Sequence, residues 1–376
     1  MRDRQSGDLA RDHRSTLDDE PVDADALPLQ RADDAPGTPS GRRRGVRRAL
    51  IGAGVLVLAL VAGGGLWFLT NRYGGNINRV GNVFAGLDDV SRPAAASPAG
   101  QPAASEDPST FLLVGSDTRA DIATGELPDA RSDAIMIARF TADQQHAQLI
   151  SIPRDSWVDI PGHGKNKINT AYAFGGPTLL IQTVEQLTGV RIDHYAAIDF
   201  DGLIQVTDDL GGVDVTVPET TSWGPYTFTA GINHLDGDQA RWYVGQRYGL
   251  PGGDFDRVKR QQNCLRAMFT KLFSQQVFTS PGRLDSSLLA VTDAVAPDDD
   301  LSNADLVTMA YGLRGLTPAI VEFFTAPVLG TGTEGSASVV YLDANTGNRR
   351  WGYLQTDSLG PNADEFADQA LPEVTN

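Results

Sequence analysis

A run of 22 residues without a charge, "ALIGAGVLVLALVAGGGLWFLT" at 49–70, directly follows the arginine-rich stretch "RRRGVRR" at 42–48. As a helix at 1.5 Å per residue, a run of this length spans about 33 Å, which is enough to cross a bilayer. Arginine and lysine flank membrane spans on the cytoplasmic side. A cleaved signal peptide is disfavoured because both the run and its leader are too long and no small-residue cleavage motif closes it. The sequence therefore predicts a single-pass anchor in the cell membrane, with a cytoplasmic N-terminus and an extracytoplasmic domain.

The predicted anchor separates segments of different composition. Residues 1–48 are rich in Asp, Arg, Pro and Ala, and they predict a disordered cytoplasmic tail that ends in the basic juxtamembrane cluster. Residues 71–108 predict an extracytoplasmic stalk and a Pro/Ala/Ser linker. We expect the folded domain to occupy residues 109–357 and residues 358–376 to form a flexible acidic tail.

The charge of the chain is strongly acidic, with a formal net charge of −17. The first 48 residues hold 10 basic and 10 acidic side chains, so the whole acidic excess lies in residues 49–376. Nucleic acid is therefore excluded as a main partner, because neutralising its phosphates requires a basic face. A cluster of cations in this background costs folding stability through repulsion, so such a cluster is informative. The single Cys264 can form no intramolecular disulfide and is interpreted as a buried, inert thiol.

After residue 109, short apolar runs alternate with helical patterns. The predicted strands are 111–115, 134–140, 147–152, 195–200 and 213–217, and the predicted helices are 178–187, about 237–246 and about 255–273. Strands interleaved with helices indicate an α/β fold, here a three-layer α/β/α domain with a central mixed sheet. In such folds the functional site lies beyond the ends of the strands.

Charged side chains gather at the ends of these predicted strands. They are Asp117, Arg131, Asp133, Arg154 and Lys167, and a later helical region adds Arg247, Arg257 and Gln261. A solvated surface charge is the simpler interpretation of each one alone, but as a set beside Gly, Pro and Asn they favour a site built on loops. Guanidinium groups bind phosphate oxygens bidentately, and carboxylates hold a hard cation such as Mg²⁺. The residues alone thus predict an extracytoplasmic phosphate-binding α/β domain.

Eight ordered motifs between residues 109 and 355 resemble those of the LytR-CpsA-Psr family. They are "FLLVGSDTR", "RSDAIMIARF", "SIPRDSWVDIPG", "KINTAYAFGG", "LTGVRIDHYAAIDFDGL", "LGGVDVTVP", "LDGDQARWYV" and "GDFDRVKRQQ". Members of this family are outward-facing, single-pass phosphotransferases that move a glycopolymer from a polyprenyl pyrophosphate carrier onto peptidoglycan through a phosphodiester bond. The resemblance implies this activity, with the polyprenyl-pyrophosphate-linked glycopolymer and peptidoglycan as partners. The amino-acid bias is typical of an actinobacterium.

The resemblance also implies roles for individual residues. The pyrophosphate would be held by Arg131, Arg154, Lys167, Arg247, Arg257 and Gln261. The metal, Mg²⁺ or Mn²⁺, would be held by Asp117 and Asp133, which together with Arg131 and Arg154 make up the catalytic group. A carboxylate would accept the proton of the attacking sugar hydroxyl, and the sequence does not say which.

Gly245 departs from the family pattern, which has arginine, any residue, arginine after "YV", whereas this chain has "GQR". Arg241 or Lys259 is a candidate to replace the missing charge. Two alternatives to the transferase remain open: a hydrolase acting on the same lipid pyrophosphate, and a non-catalytic scaffold that binds the lipid carrier. The chain contains no G-x-S-x-G elbow and no P-loop, and its histidines lack the spacing of zinc ligands.

Overall fold

The computed structural model of this chain describes residues 77–96, 109–116, 132–142, 146–272, 281–312 and 321–375. The predicted cytoplasmic tail, the predicted membrane span at 49–70 and two of the predicted site residues, Asp117 and Arg131, lie outside the described residues. Across the ranges just given, no helix combines the length and the apolar character needed to span a membrane.

The secondary structure is numbered here in chain order. The strands are β1 Ser109–Ser116, β2 Ser132–Phe140, β3 Ala147–Ser151, β4 Trp157–Ile160, β5 Gly164–Lys167, β6 His194–Asp199, β7 Val213–Val217, β8 Thr221–Trp223, β9 Tyr226–Phe228, β10 Gly231–Leu235, β11 Val295–Pro297, β12 Val321–Thr325, β13 Val328–Glu334 and β14 Ala337–Leu342. The helices are α1 Asn169–Thr188, α2 Phe200–Asp209, α3 Gly237–Gly245, α4 Asp254–Leu272, α5 Pro281–Ala294, α6 Asn303–Gly312 and α7 Ala344–Gln355, and a 3₁₀ helix covers Gly360–Gln369.

The central sheet has the strand order β11-β6-β1-β2-β3-β12. The pairs β1 with β6 and β3 with β12 are parallel, and the other neighbours are antiparallel. The predicted α/β class with a central mixed sheet is therefore confirmed. All five predicted strands exist, but 213–217 pairs with β10 in a separate two-stranded sheet. Alternation of side chains cannot distinguish these two placements, since it reports burial and not the partner strand.

Helices cover both faces of the central sheet because successive side chains of a strand point to opposite faces. Leu112 and Ile137 lie on the face that packs against Leu180 of α1. Phe111 and its neighbours lie on the other face and pack against Leu265 of α4. The sheet is thus buried between helices, and its strand ends carry the loops that bear the charged residues.

The segment 77–96, which the sequence predicts to be part of a stalk, packs against the folded domain instead. Val83 is 1% exposed and belongs to the main core cluster. Arg92 donates hydrogen bonds to both carboxylate oxygens of Glu185 and to the carbonyl of Ile192. The prediction was wrong because single apolar and charged residues in a Gly- and Asp-rich stretch gave no periodic signal of burial.

The C-terminal residues 358–376, which the sequence predicts to be a flexible tail, are also folded up to residue 375. Phe366 of the 3₁₀ helix is fully buried, and Leu371 donates its backbone N–H to the carbonyl of Phe323 at 2.8 Å. Ala370 forms a bridge to Phe324, so this segment covers part of the exposed edge of β12. The prediction of a flexible tail was wrong because it rested on the acidic composition of the segment, whereas a few apolar residues such as Phe366 and Leu371 hold it against the domain.

The Arg92–Glu185 ion pair gives a test of this packing, because both side chains are at least 91% buried. We expect Arg92→Leu to lower the free energy of unfolding by about 3 kcal/mol, since Glu185 is left buried without its cation. Adding Glu185→Gln removes that buried charge while keeping an oxygen for the backbone N–H of Ile192, and it should recover at least half of the loss. Urea unfolding followed by circular dichroism measures both values.

The matched control for this experiment is Arg191→Leu. Arg191 pairs with Asp89, whose side chain is 77% exposed, so this change should cost less than about 1 kcal/mol. If Arg92→Leu costs no more than Arg191→Leu, residues 77–96 are not held to the domain as described.

Candidate diphosphate site

Arg154 lies in the turn that follows β3, where the sequence is "SIPRD". Ser156 closes the turn, with its backbone N–H and its hydroxyl both donating to the carbonyl of Pro153, at 2.9 and 2.6 Å. The backbone N–H of Asn169, at the start of α1, donates to the carbonyl of Arg154. The turn is therefore fixed on both sides, and it holds the guanidinium of Arg154 at the end of the sheet.

Two arginines and two aspartates from three elements meet at this end of the sheet. The guanidinium of Arg154 donates to the carboxylate of Asp133 near the start of β2. Arg257 on α4 donates to the backbone carbonyl of Asp133 at 2.9 Å, and its Nη2 lies 3.6 Å from the same carboxylate. Asp254, at the start of α4, lies 3.6 Å from Arg154 and 3.4 Å from Arg257. Three predicted site residues, Asp133, Arg154 and Arg257, are thus brought together.

Burial disfavours the charged forms of Arg154 and Arg257. Burial lowers the pKa of Arg257, as do the neighbouring cations Arg154 and Arg247, and the carboxylates nearby do not fully offset this. Burial also lowers the pKa of Arg154, but Asp133 and Asp254 outweigh it and the pKa lies above its ordinary value. Within the described part of the chain, the buried Nε atoms of both arginines have no hydrogen-bond acceptor. An anion placed between them would supply acceptors and reduce the repulsion.

Lys167 joins this group through Asp155. Its ammonium lies 2.9 Å from one carboxylate oxygen of Asp155, and the other oxygen lies 4.0 Å from Nε of Arg154. Lys167 is the last residue of β5, and the β4–β5 hairpin places it directly opposite Trp157. Asp155 therefore lies between Arg154 of "SIPRD" and Lys167 of "KNKIN" and brings these two cations together.

Arg247 lies just beyond the end of α3 and is exposed, with its guanidinium 5.7 Å from the ring centre of Tyr248. It is close enough to Arg257 to lower the pKa of that residue. Gly245, the last residue of α3, has open space where a side chain would begin and no positive φ. The Cβ of a larger residue at this position would therefore meet no neighbour within 4 Å.

The loop that carries Arg247 is supported by Arg260, which is not among the predicted site residues. Arg260 is fully buried, donates to the side-chain oxygen of Gln246 at 2.6 Å and lies 4.5 Å from the ring centre of Tyr243. Gln246 in turn donates to the carbonyl of Tyr248 at 3.1 Å. These bonds fix the backbone on both sides of Arg247.

The two adjacent glutamines of α4 have different roles. Gln262 is fully buried and donates to the hydroxyl of Ser151 and to the carbonyl of Phe324, so it anchors α4 to β3 and β12. Gln261, the predicted site residue, lines a cavity between the sheet and the helices. The other residues around this cavity are apolar or small: Leu113, Val114, Gly115, Ala134, Met136, Ile198, Val244, Cys264 and Leu265.

This apolar cavity has a volume of about 70 Å³. Of its lining residues, Ala134 adjoins Asp133 in the chain and Gln261 follows Arg257 by one helical turn. A cavity of this size admits only a short part of a hydrocarbon chain. Burial raises the pKa of the Cys264 thiol to about 12. The thiol is consequently protonated and unreactive at neutral pH, as the sequence predicted.

Asp254 is the other site residue that sequence reasoning missed. It stands three positions before Arg257 in "GDFDR", a spacing at which two side chains of a helix meet. This i, i+3 pairing was a usable signal, but the abundance of aspartate in the chain concealed it. Asp254 balances part of the charge of both arginines.

The oxygen donors around the cluster fit a hard cation. Asp133 and Asp254 supply carboxylates. Ser132 precedes Asp133 in the chain, and the backbone of Asn169 contacts Arg154. Ser132 Oγ and Asn169 Oδ1 are buried oxygens with no hydrogen-bond partner among the described residues. Carboxylate, hydroxyl and amide oxygens are the ligands that Mg²⁺ prefers, and it commonly takes only one or two carboxylates. No group of three or more His, Cys, Asp or Glu side chains that could hold a metal occurs in the described ranges, from which Asp117 is absent.

Known proteins are similar to this domain in both sequence and fold. The sequence profile of the LytR_cpsA_psr family matches residues 87–350. The polyisoprenyl-teichoic acid–peptidoglycan teichoic acid transferase TagU of Enterococcus faecalis is 35% identical over 207 residues, which are 55% of this chain and 66% of that protein. The cell wall biosynthesis protein LcpA of Corynebacterium glutamicum is 32% identical over 281 residues, which are 62% of this chain and 53% of that protein. The chain thus spans between half and two thirds of these relatives.

Solved structures agree with the family assignment. The structure of Bacillus subtilis TagV superposes with a TM-score of 0.56 at 24% identity, over 66% of this chain and 97% of TagV. The structure of TagT bound to LI-WTA superposes with a TM-score of 0.53 at 25% identity, over 71% of this chain and 97% of TagT. The fold is therefore shared, and the profile match covers most of the chain. This chain belongs to the LytR_cpsA_psr family.

Proposed function

We propose that this chain transfers a glycopolymer from a polyprenyl pyrophosphate carrier onto peptidoglycan and joins the two by a phosphodiester bond. The observation that carries this proposal is the meeting of Arg154 and Arg257 on Asp133, beside an apolar cavity. Such a site suits a ligand with a diphosphate at one end and a hydrocarbon at the other. The Enterococcus faecalis relative is named for transfer of teichoic acid to peptidoglycan. We carry over the class of reaction and leave the polymer open.

The diphosphate would bind between the two arginines. Its oxygens would accept hydrogen bonds from the guanidinium groups, including the buried Nε atoms that have no acceptor among the described residues. Lys167 and Arg247 stand at the rim, and Arg131 and Gln261 complete the proposed binding group. The acidic net charge of −17 makes local neutralisation of a dianion depend on these few residues.

The hydrocarbon chain would enter the cavity between Val244, Cys264 and the central sheet. The cavity is small in this conformation, so a longer chain requires it to widen. The apolar lining is consistent with a lipid carrier.

The chemical step is attack of an acceptor hydroxyl on the phosphorus that bears the glycopolymer. A bond forms between the hydroxyl oxygen and this phosphorus, the bond to the bridging oxygen of the diphosphate breaks, and polyprenyl phosphate leaves. Arg154 and Arg257 would stabilise negative charge that shifts toward the leaving phosphate. A carboxylate of the cluster, Asp133 or Asp254, would take the hydroxyl proton.

Mg²⁺, which Mn²⁺ could replace, would be held by Asp133 together with Asp117. When bound, it supplies further positive charge to the phosphate oxygens. The carboxylate of Asp133 is shared with Arg154, so this residue links the proposed metal site to the arginines.

The proposal is tested with the full-length chain in detergent, a short lipid-diphosphate sugar donor and a peptidoglycan fragment, with products read by mass spectrometry. We expect a sugar-phosphate adduct on the fragment. It should vanish with Arg154→Ala, fall at least tenfold with EDTA and return with added Mg²⁺. Arg349→Ala is the matched control, because Arg349 pairs with Glu365 on the surface, and it should keep full activity.

Other outcomes of this assay contradict the transferase. Sugar phosphate released into water without an adduct would favour a hydrolase, in which water replaces the sugar hydroxyl. A donor that binds but stays intact would favour a scaffold. Full activity of Arg154→Ala would show that the arginine cluster is not the site.

Gly245→Arg tests the departure from the family pattern. The position has open space for a side chain, and a charged hydrogen bond to phosphate contributes about 1.5–3 kcal/mol. We expect the variant to bind the lipid-diphosphate donor about 10- to 100-fold more tightly in a calorimetric titration. Gly352→Arg is the control, since Gly352 also has open space but lies on α7. Equal effects of the two substitutions would indicate only a general gain in positive charge.

We further propose that residues 49–70 anchor the chain in the cell membrane with the domain outside, which places the site on the side where peptidoglycan is assembled. The support is the uncharged run and the preceding arginines. Membranes containing the chain are extracted with alkaline carbonate, and intact cells are treated with protease. We expect the chain to stay in the membrane pellet and the domain to be cleaved from outside. Release into the supernatant would refute the anchor.

A further inference from the structure

A groove separate from the arginine cluster lies between the β4–β5 hairpin, the β13–β14 hairpin and the start of α7. Its wall includes Trp157, Asp159 and Lys165 on the first hairpin, Glu334 and Tyr341 on the second, and Asn348 on α7. Nothing in the proposed binding of the donor uses these residues. We call this feature the hairpin groove.

The β4–β5 hairpin carries both Lys167 of the proposed diphosphate site and residues that line the hairpin groove. In an antiparallel pair, residues directly opposite each other point to the same face. Trp157 pairs with Lys167, and Asp159 pairs with Lys165. These four side chains therefore share one face of the β4–β5 hairpin, in two rows about 6.7 Å apart. The row of Trp157 and Lys167 includes a residue of the proposed diphosphate site, and the row of Asp159 and Lys165 lines the groove.

The far wall of the groove is bonded to the same turn. The backbone N–H of Val340 on β14 donates to the carbonyl of Asp155 at 2.9 Å, and Val340 forms a parallel bridge to Ser156. Asp155 holds Lys167 through its carboxylate. The far wall of the groove and the proposed diphosphate site are thus joined through the turn at Asp155 and Ser156.

An aromatic ring is held in place on the groove wall. The hydroxyl of Tyr341 donates to Glu334 at 2.8 Å. The ring lies against Gly332, where any Cβ would come within 2.5 Å of it. Trp157 on the opposite hairpin is half-buried and also lines the groove. Rigid, half-exposed aromatic rings with a polar edge suit ligands that are apolar on one face and hydroxylated at the rim, as sugar rings are.

The hairpin groove carries an excess of acidic side chains. Asp159, Glu334 and Asp343 line it, and Lys165 is the lysine among its lining residues. Carboxylates accept hydrogen bonds from hydroxyl and amide N–H groups, but they repel phosphate. The groove therefore favours an uncharged saccharide over the anionic donor.

We propose that the hairpin groove binds the sugar backbone of the acceptor, a chain of uncharged N-acetylated amino sugars. The identity of this acceptor as a peptidoglycan strand rests on the proposed function. Binding here would bring an acceptor hydroxyl past Trp157 toward Lys167 and the diphosphate. The donor and the acceptor would then be separated by charge, with the donor on the cationic side and the acceptor on the acidic side.

The test titrates the full-length chain in detergent with a β-1,4-linked N-acetylglucosamine tetrasaccharide and, separately, with inorganic pyrophosphate, and reads both by calorimetry. We expect Tyr341→Ala to weaken tetrasaccharide binding about five- to tenfold, since a stacking ring is lost, and to leave pyrophosphate binding unchanged. Tyr353→Ala is the matched control: Tyr353 also donates its hydroxyl to a glutamate, Glu365, at 2.9 Å, but lies outside the groove.

Each remaining outcome has a definite meaning. Tetrasaccharide binding that is absent in the natural chain, or equal in Tyr341→Ala and the natural chain, would overturn the groove proposal. Equal weakening by Tyr341→Ala and Tyr353→Ala would overturn it too, because the effect would then not be local to the groove. Pyrophosphate that fails to bind while the tetrasaccharide binds as expected would overturn the proposed function and leave the saccharide groove in place.

Discussion

The structure of the site depends on the carboxylate of Asp133, which lies between two arginines that come from distant parts of the chain. Arg154 reaches it from the turn after β3, and Arg257 reaches it from α4. Together with the carboxylate of Asp254, it offsets the repulsion between the two guanidinium groups in a place where little water screens them. Burial and mutual repulsion still lower the pKa of Arg257. The carboxylates thus offset enough of the repulsion for the two arginines to be buried together, and both arginines remain able to bind a further anion.

Two further surfaces of different chemistry lie on the same domain as the arginine cluster. The sheet and α4 line an apolar cavity, and the β4–β5 hairpin lines an acidic groove with aromatic side chains. In the proposed reaction, the hydrocarbon, the diphosphate and the uncharged sugar would each bind a surface of matching chemistry. Our account of transfer uses this separation, because the reacting groups have to meet only at the cluster.

Much of this could be predicted from the sequence. Apolar runs located four of the six strands of the central sheet, and ordered motifs located Asp133, Arg154, Lys167 and Arg257 around one site. Local patterns could not show that 77–96 and 358–375 pack on the domain, since their burial depends on single residues such as Val83 and Phe366. They also missed Asp254 and did not show that Arg260 is buried beneath the site, because charge partners are set by tertiary contacts. The polar and aromatic residues that line the hairpin groove come from separate hairpins and a helix. They form no motif in the sequence, so the groove could be recognised only in the folded structure.

The most direct measurement is a crystal structure of the chain with methylenediphosphonate, a diphosphate analogue that cannot be cleaved. We expect the analogue to lie between Arg154 and Arg257 and the guanidinium of Arg154 to turn from Asp133 to a phosphonate oxygen. An analogue bound elsewhere, with the present pairing of Arg154 and Asp133 intact, would show that this cluster is not a diphosphate site.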